Sequence, residues 1–152
     1  MPSSPNKNLQ NLERAGALKA EPTSRQEIAG FLSGAADALG DSKQPHLSVS
    51  GHFKLAYDAA HALALVALRA HDYRPAQGPG HRRIVFQSLQ HTVHAPAELW
   101  RTLDKYHDKR NASEYGGIVN VSSAEANDLI DTTDKLHRLV MDWLKKNRPE
   151  LL

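Results

Sequence analysis

Three features of the 152-residue chain predict an all-α fold, an up-and-down bundle of about five to six helices. Apolar residues recur at steps of three and four along successive segments. Capping patterns open several of these segments, and Gly or Pro clusters close most of them. No internal repeat and no convincing strand pair interrupts the pattern. A loose segment, residues 1–8, is expected to precede a single domain over 9–148.

The elements follow in order. Leu9, Leu12 and Leu18 suggest a short amphipathic helix, weakened by Gly16 and ended before Pro22. Ser24 and Glu27 match a capping box ahead of Ile28, Phe31, Leu32, Ala35 and Leu39. Ser48 or Ser50 then caps the strongest helix, which is apolar on nearly every side from Leu55 to Leu68 and so belongs at the bundle centre. After the breaker cluster RPAQGPG, a fourth helix places Ile84, Val85, Leu89 and Val93 on its core face. Pro96 opens a fifth, which Gly116-Gly117 closes. Ser122 and Glu125 give a second capping box for the last helix, which carries Leu129, Ile130, Leu136, Leu139, Val140, Trp143 and Leu144.

Composition narrows the function. Forty per cent hydrophobic and 24% charged residues are ordinary for a globular domain with a real core. A net charge of +2, with nine histidines neutral, is far from that of a chain built to coat nucleic acid. The absence of cysteine excludes disulfides, thiolate catalysis and cysteine-ligated zinc. MPSSPNKNLQ lacks the apolar centre of a signal peptide, and the apolar stretch 55–68 is too short to span a bilayer. A cytoplasmic protein with no membrane contact is the expectation.

The fifth helix holds the site candidate. Leu99, Leu103, Tyr106, Arg110 and Ser113 follow one seam, so Arg110 continues an apolar stripe. A guanidinium withdrawn from water needs acceptors or an anion. Asp104, Asp108, Asn111 and Tyr115 share a second face, with His107 between the two. Asp58 and His61 interrupt the central helix three residues apart, and Asp58 is a plausible partner for Arg110. In a bundle such a pair is more often structural than catalytic. His91 and His94 have a metal-compatible i, i+3 spacing, but no third ligand stands near them in sequence, and no metal or other cofactor is implied. GPGH lacks the strand before and the Lys-Ser/Thr after that a phosphate loop requires. The basic clusters HRR (81–83) and KKNR (145–148) can touch phosphates, although charged helix ends are the commoner reading.

The segments FKLAYDAAHALALVALRAHDYRP, HRRIVFQSL and LDKYHDKRNASEY, in that order, resemble the HEPN superfamily of prokaryotic helical bundles. LERAGALKAEP resembles the lead-in of one uncharacterised bacterial branch. The likeness spans most of residues 9–147. It implies a homodimer in which paired signatures, an arginine, a polar residue and a later histidine, line one cleft of a metal-independent endoribonuclease. Arg110 matches the arginine that holds the scissile phosphate and Asn111 the polar residue; Tyr115 falls where the histidine belongs. A phenol with an ordinary pKa of about 10 is a poor base at neutrality, and His107, one turn before Arg110, is the candidate substitute. Some members are toxins silenced by a nucleotidyltransferase partner that modifies a tyrosine. Two readings therefore stand. One is an RNA-cleaving or formerly RNA-cleaving protein, with His107, Arg110, Asn111 and Tyr115 at the site and Asp58, His61 and Asp104 in support. The other is a non-catalytic helical module that binds a partner protein or nucleotide.

Overall fold

The computed structural model describes residues 6–78, 81–116 and 120–152, with the side chains of 113–116 outside that set. It is an all-α bundle with one small pair of strands. The helices are α1 (Lys7–Arg14), α2 (Arg25–Ser42), α3 (Val49–Arg69), α4 (His81–Gln87), α5 (Leu89–Thr92), α6 (Ala97–Gly116) and α7 (Ser123–Asn147). A 3-10 turn, Pro149–Leu151, follows α7.

Central position goes to α3, as its all-round apolarity predicts. Ala56, Ala59, Ala60, Leu63, Ala64, Val66 and Ala67 are fully buried. The small alanine side chains let α2 and α7 approach closely along its length. From α2 come Ile28, Ala35 and Leu39, and from α7 Leu129, Leu136, Val140 and Leu144. Helix starts follow the sequence signals. Ser24 and Ser48 each accept from the backbone N–H three residues on, and Ser122 and Glu125 form the complete reciprocal capping box. The Glu27 carboxylate is instead engaged by Thr23 and Arg69.

Three readings need correction. Residues 6–8 are not loose, because Asn6 caps α1 by accepting from Leu9 N–H. Leu18 does not extend a helix: Gly16, at φ +83°, turns the chain out of α1. Leu18 then enters β1 (Leu18–Ala20), which pairs antiparallel with β2 (Tyr73–Pro75). These strands are three residues long and more than fifty apart, so no local periodicity announces them. The pair closes one end of the bundle over Leu9, Leu18 and Leu68. Finally, the fourth helix divides at Ser88 into α4 and α5, and the Ser88 hydroxyl donates to Val85 O there.

Among the described residues no helix is long and apolar enough to cross a membrane.

Candidate functional site

Three helices build the site. Tyr57 and His61 stand one turn apart on α3, and the α-helical repeat turns both inward while Asp58, one residue on, is exposed. From α4 come Arg82, Arg83 and Phe86, and from α6 come His107, Arg110 and Asn111. Phe86 meets Tyr57, His61 and His107 edge-on, at ring-centroid separations of 5.8, 5.9 and 6.1 Å. An aromatic floor results, with polar groups pinned to it.

Arg110 lies over that floor. Its guanidinium carbon is 4.9 Å from the centroid of the Tyr57 ring, a cation–π geometry. The seam argument therefore holds for Leu99, Leu103 and Tyr106, which are buried, and for Arg110, which is half-buried against the middle helix. What receives Arg110 on α3 is the ring of Tyr57. Asp58, beside it in sequence, contributes at a distance by raising the Tyr57 pKa.

His107 is the hub. Only 3% exposed, it holds its Nδ1 3.0 Å from the Tyr57 hydroxyl and its Nε2 3.0 Å from Asn111 Nδ2. With the Asn111 amide donating, Nε2 is the acceptor and Nδ1–H donates to the phenol. Burial lowers the His107 pKa, and Arg83 and Arg110 act in the same direction against Asp108 and Asp104. Its imidazole is therefore neutral at pH 7. Burial raises the Tyr57 pKa, although Arg82 and Arg110 oppose the shift.

His61 differs from His107 in having an unused nitrogen. Its Nε2 is buried without a hydrogen-bond partner. Desolvation, reinforced by Arg82, His81, Arg110 and His107, brings its pKa down to about 4. Burial is the main cause of that shift, and Arg82 and Arg110 add positive charge near the ring.

Asp104 takes a supporting position at the edge, 3.2 Å from Arg83 and 3.5 Å from Gln87 Nε2, and Arg83 also contacts Asp108. Arg83 is thus offset by carboxylates. The side chains of Ser113 and Tyr115 lie outside the described residues.

Of the residues singled out from sequence, His61, His107, Arg110 and Asn111 converge, Asp104 borders them, and Asp58 faces solvent. Tyr57 and Phe86 were missed, and Arg82 was seen only as part of the basic cluster 81–83. Tyr57 and Phe86 read as ordinary core aromatics, and nothing in the spacing distinguishes Arg82 from a charged helix end. Among the described residues no group of His, Asp or Glu is placed to hold a metal ion. No family model, curated protein or solved structure matches this chain.

Proposed function

We propose that this is a HEPN-like protein whose α3–α4–α6 cluster binds the phosphodiester backbone of RNA. The observation that carries the reading is Arg110 placed over the Tyr57 ring, with Arg82 near the same ring and near the buried, unpartnered His61 Nε2. A phosphate seated against Arg110 and Arg82 would meet one guanidinium packed on the Tyr57 ring and another interacting with its hydroxyl, which lowers the ordering cost of binding. Asn111 and Tyr57 fix the His107 ring in one orientation, and that ring spaces α3 from α6.

Cleavage would require a base to take the ribose 2′-hydroxyl proton as oxygen attacks phosphorus, and an acid to protonate the departing 5′-oxygen. Both nitrogens of His107 are engaged by protein groups, and Tyr115 stands in the signature histidine's place. That favours the second reading, a cleft that retains phosphate binding and serves as an interaction module without turnover.

One experiment separates the outcomes. Anisotropy of a labelled single-stranded RNA is measured against salt for the full chain and for Arg110→Ala and Arg82→Ala. Each variant should weaken binding roughly tenfold and reduce the salt slope by about one contact. Affinity indifferent to both substitutions removes the phosphate site. Gain of cleavage in Tyr115→His identifies a degenerate nuclease; binding without cleavage in both proteins identifies the module.

A further inference from the structure

A separate cleft of about 530 Å³ opens at the far end of α3, where the ends of α3, α5 and α7 meet the start of α1. That volume suits a small molecule. It is distinct from the Arg110 cluster, since roughly 18 Å of helix separates Tyr57 from Arg69. One wall is aromatic: the His71 ring lies on the Trp143 indole at 4.6 Å, tilted by 34°. His71 is itself fixed, Nε2 to Thr92 O at 2.9 Å.

The charges along the lining offset one another. Arg148 contacts Asp72 at 3.5 Å and Glu150 at 3.0 Å, and donates to Ala70 O at 2.7 Å. Burial lowers the His71 pKa, so its imidazole is uncharged at neutrality. The cleft is therefore not an anion site, in contrast to the Arg82–Arg110 cluster.

Hydrogen-bonding capacity remains unspent there. Among the described residues, the Gln10 side-chain amide and the His94 imidazole make no hydrogen bond within the chain. Asn147 uses only its Nδ2, on Trp143 O. The Thr92 hydroxyl is buried without a partner.

Both described non-glycine residues with positive φ line this cleft, Asp72 at +62° and His94 at +55°. Asp72 has a structural reason: its carboxylate accepts from Thr23 N–H, and its carbonyl accepts from Glu21 N–H. His94 has none. Glycine would adopt its left-handed turn after α5 more easily, and the exposed His94 lines the cleft with no hydrogen bond to its imidazole among the described residues.

The geometry points to a binding site in this cleft for an uncharged nitrogen heterocycle of nucleoside type. The ring packs against Trp143 and His71. Gln10, His94 and Asn147, which offer amide and imidazole groups, pair with its donor–acceptor edge.

The test follows the indole N–H resonances of the full chain in two-dimensional NMR during titration with adenosine, guanosine, cytidine and uridine. Trp143 should shift saturably with at least one nucleoside at submillimolar concentration, while Trp100 stays still. His94→Gly relieves the turn, so its melting temperature should be equal or higher, yet it and Gln10→Ala should bind about tenfold more weakly. Arg110→Ala should bind normally, which keeps this result independent of the RNA reading. The proposal is overturned by no saturation below ~1 mM, the weak end of ordinary ligand affinities. It is equally overturned by N-acetylglucosamine matching the nucleosides, by adenosine monophosphate binding far more tightly than adenosine, by undiminished affinity in His94→Gly, or by loss of binding in Arg110→Ala.

Discussion

Arg69 shows how much one buried cation can organise. Its side chain is 4% exposed, and each of its nitrogens finds acceptors: Nε on Glu27, one terminal nitrogen on Glu21 O and Tyr73 O, the other on Pro22 O and the Glu21 carboxylate. It ties the β1–α2 connection and β2 to the end of α3, and it holds the Glu27 carboxyl, already lowered by Thr23, further below its usual range. Arg69→Ala leaves these acceptors without their donor and should cost about 3–5 kcal/mol in urea denaturation. Tyr57→Phe is a milder probe of the candidate site. It strips His107 Nδ1 of its partner inside the core, and a loss of about 1–3 kcal/mol is expected by the same measurement. Tyr57→Leu, where the ring itself is gone, also removes the cation–π contact with Arg110.

At the scale of elements, the capping box at the start of α7 is the clearest case of local sequence fixing local structure. Ser122→Ala removes the acceptor for Glu125 N–H and should lower stability by about 1 kcal/mol, measured as a shift in the denaturation midpoint at unchanged slope. Here the signal was legible because both partners are three residues apart. The β1–β2 pair was illegible for the opposite reason: its ladder joins residues 18–20 to 73–75, and short strands acquire meaning only beside each other. Where α4 gives way to α5, the Ser88 hydroxyl donates to Val85 O, a local bond that apolar spacing does not register.

For the whole molecule, the buried histidines set a common pH response. His61, His71, His91 and His107 all have lowered pKa values, with desolvation the largest cause in each. The unfolded chain then binds more protons than the folded one in the window between the folded and unfolded values, so stability rises with pH there. For His61 that window runs from about 4 to 6.5, and its share is on the order of 3 kcal/mol, lost as pH falls through it. The thermal midpoint should drop between pH 6.5 and 4, and His61→Gln should flatten part of that drop. Inorganic phosphate bound at the Arg110 cluster should raise the His61 pKa, seen as proton uptake when titrations are compared in buffers of different ionisation enthalpy. An unchanged imidazole resonance on phosphate addition would separate His61 from the anion site.

By itself the sequence determined the all-α class, the caps at Ser24, Ser48 and Ser122, the burial of α3 and the anomaly of Arg110, because each depends on residues a turn or less apart. Only the tertiary structure decided that Tyr57 receives Arg110, that His107 is pinned between Tyr57 and Asn111, that Arg82 joins them, and that His94 faces a cleft with His71 and Trp143. The reason is physical. Helical periodicity fixes which side of an element is apolar, while the choice among several apolar neighbours is made by how whole helices pack, and no local spacing encodes that.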